Sequence, residues 1–302
     1  APDCSSCTGT TVRSAALVFR IALRANAIIG ESPIWSERRN RLLWIDIMGR
    51  LLHSYDPVSG VDEVIDIPGD VGLLAESPTG QIVLGIDCKL AHLGADGRIE
   101  RFARAPHADQ AFRFNDGKYD RQGRLWTGLM NKERQKGVGI LYRFDPDGTW
   151  HIAETGFDLP NGLEWSQDGQ TLYYTDSHKG EIYAYDFDQV TGGISNRRLF
   201  FDMDPSEGKP DGLTMDSAGY LLSVLFDGSA IVRIAPGGSL ERLIALPVPR
   251  ATSCAFGGDG RTLFVTTAQI GLTDDQIACA PASGALLEFD YEDAVLKHHN
   301  MS

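Results

Sequence analysis

The sequence predicts an all-β fold, a six-bladed β-propeller whose ring is closed by an N-terminal strand entering the last blade. Three observations carry that prediction: a six-fold internal repeat, a glycine at a constant place in the repeat, and the absence of any sustained helical period. Segments starting at 31 (ESPIWSERRNRLLWID), 161 (NGLEWSQDGQTLYYTD) and 252 (TSCAFGGDGRTLFVTT) align without gaps. GLLAESPTGQIVL from 72, NDGKYDRQGRLWT from 115 and DGLTMDSAGYLLS from 211 fit the same template. Successive starts are separated by 41, 43, 46, 50 and 41 residues, the spacing of propeller blades carrying four strands each.

Within each repeat the elements follow in order. The fifth residue is Trp35, Tyr119, Trp165, Met215 or Phe256, with Glu76 the exception, so the first strand has a recurrent apolar position. The ninth is Gly80, Gly123, Gly169, Gly219 or Gly260, with only Arg39 differing, which suits a turn that needs positive φ. After the sixth start about 50 residues remain, enough for three strands, the last over 284–290. The fourth is expected from residues 16–23, ALVFRIAL. Pairing first and last segments in one blade removes an exposed edge, whereas the alternative, an open repeat array, keeps it. The domain reading is a flexible tail over 1–15, one propeller over 16–291 and a tail over 292–302.

Charge and cysteine usage narrow the function. A net charge of −13 argues against nucleic acid or anionic membrane as partner, since both call for clustered Lys and Arg. No apolar run approaches the roughly 18 residues of a membrane span. Cys4 and Cys7 form a lone CxxC without a second pair at zinc spacing, and Cys88, Cys254 and Cys279 stand apart, so a disulfide framework is not expected. The reading is a cytoplasmic monomer, with export as the alternative if Ala1 is a processed N-terminus.

The first residues of the six repeats, Glu31, Gly72, Asn115, Asn161, Asp211 and Thr252, are expected around the channel mouth. Five carry side-chain oxygen and none carries sulfur or imidazole, a donor set for a hard cation such as Ca²⁺, Mg²⁺ or Mn²⁺. Asn-Gly and Asp-Gly are also turn pairs, but turn capping does not explain acceptors at one shared blade position. Two acids brought together without a cation would raise the pKa of one of them.

The motifs GESPIW (30–35), RFNDGKYDRQGRLWTGLM (113–130), LPNGLEWSQDG (159–169), YYTDS (173–177), KPDGLTMD (209–216) and TSCAFGG (252–258) resemble, in order and over about residues 15–290, the senescence marker protein, gluconolactonase and regucalcin family of six-bladed propellers. The resemblance implies metal-dependent hydrolysis of a sugar 1,4- or 1,5-lactone to the aldonic acid. It implies Glu31, Asn161 and Asp211 as metal ligands, Arg113, Asn115 and Glu133 as substrate contacts, and Asp211 as general base. Asn115 would also face the metal, which is read as Ca²⁺, with Zn²⁺, Mn²⁺ and Mg²⁺ as alternatives. Residues 271–283 look like a variable insertion of the last blade.

Other chemistries find little support. There is no GxSxG elbow and no HExxH. His178, beside YYTDS, reads as a solvated loop histidine, and DMDPSEG (202–208) reads as a turn because it lacks the twelfth-position Glu of a calcium loop. Competing functions are a non-enzymatic calcium-binding protein and a hydrolase of another lactone or an organophosphate ester. Arg113 and Glu133 have no purpose in a pure metal binder.

Overall fold

Among the described residues six four-stranded antiparallel sheets make up the fold, five of them each built from one repeat. The computed structural model describes residues 19–106, 108–204 and 206–291; the expected tails, Cys4, Cys7 and residues 16–18 lie outside them. Five sheets are simple meanders in chain order. The sixth takes its outermost strand from Arg20–Leu23, which pairs antiparallel with Leu286–Asp290. The innermost strand of each sheet packs on that of the next, and the sixth packs back on the first, closing the ring.

The repeat positions behave as their chemistry requires. The turn glycines Gly80, Gly123, Gly169, Gly219 and Gly260 all have φ between 65° and 86°, a region open to glycine without a Cβ penalty. In the first blade, where Arg39 stands instead, Asn40 takes up the left-handed conformation at φ 52°. The two residues that break the repeat also meet each other. Arg39 Nη1 lies 2.6 Å from Glu76 Oε1, so a cation at one exceptional position is paired with the anion at the other.

Apolar burial is divided among six clusters, one at each seam between neighbouring sheets. The seam between the first and second blades is aliphatic, built on Leu43, Ile45, Leu74 and Leu84. That between the third and fourth is aromatic, with Trp126, Phe157, Tyr174 and Tyr185. Sheet-on-sheet stacking buries both faces of every blade, and for that reason the middle strands read as continuous apolar runs.

A register shift occurs at the same place in all six innermost strands, between Glu31 and Ile34, Val71 and Leu73, Asn115 and Gly117, Pro160 and Leu163, Pro210 and Leu213, and Ala251 and Ser253. Bulges re-aim side chains and bend the strand. Here they fall on or beside the first residue of each repeat. The insertion in the last blade holds a short helix, Asp274–Cys279, whose N-terminus is closed by a capping box of Thr273 and Gln276. Within the 202–208 motif, Asp204 Oδ1 accepts from the Ser206 backbone and hydroxyl, as in a turn. Among the described residues, no helix is long and apolar enough to cross a membrane.

Candidate active site

The bulged ends of five innermost strands converge on one pocket of about 640 Å³ that opens to solvent. Glu31, Asn115, Asn161, Asp211 and Thr252 line it, together with Arg113 from the strand Phe112–Tyr119. Asn161-Gly162 and Asp211-Gly212 are not turns. Both pairs lie within strands, and neither glycine has positive φ. A Cβ on Gly162 would overlap the Asp211 carbonyl, and one on Gly212 would overlap the Ser253 side chain. These glycines allow neighbouring blades to approach at the hub. The sixth ring position, Gly72, is bare for a related reason: a Cβ there would meet the Phe114 carbonyl and lie 2.6 Å from Arg113 Nη1.

Arg113 Nη1 donates to Asn115 Oδ1 at 2.6 Å and to the Phe114 carbonyl at 2.8 Å. Asn115 Nδ2 donates to the Pro160 carbonyl at 2.8 Å, so both polar ends of Asn115 are engaged within the protein. Thr252 Oγ1 donates to the Gly30 carbonyl and joins the sixth blade to the first. Asn161 Nδ2 donates to Ser177 Oγ at 3.0 Å, which leaves its Oδ1 free of that contact. Glu31 Oε2 accepts from the Ser32 backbone at 2.8 Å, with Ser32 held at φ 48°.

Two buried oxygens remain. Asn161 Oδ1 and Asp211 Oδ1 have no hydrogen-bond partner among the described residues, a state that is costly in a buried site. Burial, and then the nearby Asp116 carboxylate, push the Glu31 carboxyl well above the usual range, with the Ser32 N–H and Arg113 offsetting only part. Burial, followed by Glu31 and Asp116, does the same to Asp211. Burial also draws Arg113 down to about 10, still a cation at neutral pH. Among the described residues no three His, Cys, Asp or Glu side chains are grouped so that they could hold a metal ion by themselves. The donor set is two carboxylates and one amide, all oxygen, with two oxygens unsatisfied. Those residues fit a hard divalent cation, which would satisfy the orphaned oxygens and favour the ionised carboxylates together.

Glu133 is exposed and does not line the pocket, whereas the next residue, Arg134, does. The Glu133 backbone N–H donates to Asn131 Oδ1 at 2.9 Å, fixing the start of the charged loop. His178, expected as a solvated loop residue, also lines the pocket and is half-buried, and so does Lys209. The signals for these three were faint. His178 follows YYTDS and Lys209 begins KPDGLTMD, but each lies just outside the aligned core of the repeat.

The family model described as SMP-30/Gluconolactonase/LRE-like region matches residues 29–269. A regucalcin of Xenopus laevis is 35% identical over 266 residues, covering 85% of this chain and 89% of its own length. A 6-deoxy-6-sulfogluconolactonase of Pseudomonas putida is 32% identical over 271 residues, covering 89% of this chain and 93% of its own. Among solved structures, a protein described as a calcium-binding protein, regucalcin, from Agrobacterium tumefaciens superposes with a TM-score of 0.86 at 26% identity, covering 91% of this chain and 94% of that one.

Proposed function

The chain belongs to the SMP-30/gluconolactonase/LRE-like family, and from that premise we propose that it is a lactonase that hydrolyses a sugar 1,4- or 1,5-lactone with the help of one divalent cation, Ca²⁺ in the reading we favour. Relatives named for lactone hydrolysis support the reaction class. The observation that carries the metal dependence is the pair of orphaned, buried oxygens on Asn161 and Asp211 beside the Glu31 carboxyl. Glu31, Asn161 and Asp211 would hold the cation, which when bound supplies an electrophile for the lactone carbonyl and eases deprotonation of water.

The remaining work falls to the chain's own residues. Asp211, buried at the hub and reaching the same pocket as Arg113, accepts the proton of the attacking water. Arg113 donates to substrate oxygens, and Asn115, fixed between Arg113 and the Pro160 carbonyl, holds that guanidinium in place. Ile29, Leu159 and Phe226 provide apolar wall against the carbon skeleton.

A calcium-binding protein without turnover is the competing reading, and a similar solved structure described as a calcium-binding protein keeps it in view. A buried guanidinium lining the cavity favours a substrate over an ion alone. The test is turnover of a panel of aldonolactones by chelator-treated protein after addition of Ca²⁺, Zn²⁺, Mn²⁺ or Mg²⁺. Cation-dependent hydrolysis of at least one lactone is expected. Stabilisation by the cation with no turnover of any would leave the binder.

A further inference from the structure

The floor of the pocket accounts for the reaction, but its rim carries charge that a neutral sugar lactone does not use. Arg134 lies in the loop between Leu125–Asn131 and Gly139–Phe144 of the third blade, His178 follows Thr171–Asp176 of the fourth, and Lys209 opens the innermost strand of the fifth. Three consecutive blades thus each send a basic group to one sector of the mouth, and all three line the pocket. They are close enough to feel one another: after burial, Arg134 and then Lys209 are what most disfavour a proton on His178. Arg134 also acts on Arg113.

These cations stand unpaired where their neighbours do not. On the same face, Lys132 is bound by Asp70 and Asp87, Arg50 by Asp70, Lys179 by Asp176 and Arg250 by Asp227. Neither the Arg134 nor the Lys209 side chain has a hydrogen bond or ion pair with any described residue. In a chain with 41 acidic and 28 basic residues, opposite charge is not in short supply. Among the described residues the only acids lining the pocket are Glu31 and Asp211, against Arg113, Arg134 and Lys209. Once a divalent cation balances the two carboxylates, the mouth is left with surplus positive charge in an otherwise acidic protein. Such a local field attracts and orients an anion.

Resting on the lactonase reading, we propose that the substrate is an anionic sugar lactone, carrying a phosphate, sulfonate or second carboxylate at the end remote from the lactone carbonyl, and that Arg134 and Lys209 select it. A planar guanidinium matches two oxygens of such an oxyanion with two parallel donors, and the ammonium adds a point charge. Half-buried His178 stands between them as a further polar contact.

The experiment compares kcat/KM for glucono-1,5-lactone with that for its 6-phosphate and 6-sulfonate analogues and for glucaro-1,4-lactone. It uses the cation-loaded wild type, Arg134→Gln, Lys209→Met, the double variant and Arg134→Lys. Wild type is expected to prefer at least one anionic lactone by at least about tenfold, and the analogue preferred identifies the group. Each single variant lowers the anionic-to-neutral ratio about tenfold through KM, Arg134→Lys retains part of it, and the double variant removes the preference. Added salt compresses the ratio in wild type but not in the double variant. A wild type that prefers the neutral lactone, or a ratio that the double variant leaves intact, overturns the proposal. Complete absence of turnover with every lactone would instead remove the lactonase reading. Calorimetric binding of 6-phosphogluconate against gluconate then tests the rim alone: tighter binding of the phosphate that is lost in the double variant supports it, and equal binding in wild type overturns it.

Discussion

Two sets of polar side chains project from the ring of innermost strands, three residues apart along the repeat, and the fold treats them in opposite ways. At the fourth repeat position Lys118 Nζ donates to Glu164 Oε2 and, two blades away, to the Leu213 carbonyl, both at 2.8 Å. Glu164 Oε1 in turn accepts from the Trp165 backbone. At the first position Asn161 Oδ1 and Asp211 Oδ1 find nothing, and Glu31 and Asp211 are pushed toward holding protons. The Lys118 cluster is complete within the protein and staples three blades together. The Asp211 cluster is complete only with something added, which is the mark of a binding site as opposed to a structural staple.

The comparison breaks first on activity. Asp211→Ala or Glu31→Ala should abolish lactone turnover, a loss of at least about a thousandfold, because each removes a cation ligand and Asp211 removes the base as well. Thermal unfolding of the chelator-treated variants should show no loss of stability, since one of two like-charged buried carboxyls has gone. Full activity in either variant would undo the site assignment.

The next largest effect is the response of stability to cation and pH. In metal-free protein the folded state holds protons on Glu31 and Asp211 that the unfolded chain has released, so their contribution is a loss of stability as pH rises. The loss begins near the ordinary carboxyl value and runs up through about 8 for Glu31. Saturating divalent cation should reverse that trend and add about 2.7 kcal/mol at a hundredfold excess over Kd. Denaturant midpoints at several pH values, with chelator and with Ca²⁺, measure both. A cation effect that does not grow with pH would contradict the proton linkage.

The staple should fail differently. Lys118→Met leaves Glu164 without its partner and is expected to cost about 2 kcal/mol, below the usual range for a fully buried pair because both side chains keep some exposure. The double variant Lys118→Met/Glu164→Leu should recover part of that loss, and cation binding should survive in both. The smallest effect expected is for Ser177→Ala, which frees the Asn161 amide to rotate. Cation affinity should fall about tenfold, with unfolding of the metal-free protein little changed. Isothermal titration separates that outcome from a purely structural role.

The legible parts of the molecule are those that recur. Glu31, Asn115, Asn161, Asp211 and Thr252 could be placed on one pocket because each opens a repeat, and a periodic chain closed into a ring must bring equivalent positions to one axis. Even the exceptions carried information: Arg39 and Glu76 break the pattern at different positions and prove to be an ion pair. The rim was not legible in that way. Arg134, His178 and Lys209 sit in connections or at strand starts outside the aligned core, and Glu133, one residue from Arg134, faces solvent. Connections between blades have no period, so nothing in their spacing tells which side chain turns inward.

By itself the amino-acid order determined the number of blades, the closing strand and the oxygen-only character of the hub, because these follow from repetition and residue chemistry. Only the tertiary structure decided that Asn-Gly and Asp-Gly are close-approach pairs instead of turns, that Gly72 is bare to admit Arg113, and which oxygens are left without partners. Those outcomes depend on the sub-ångström fit between neighbouring blades, residues far apart in sequence, and no local pattern encodes that fit.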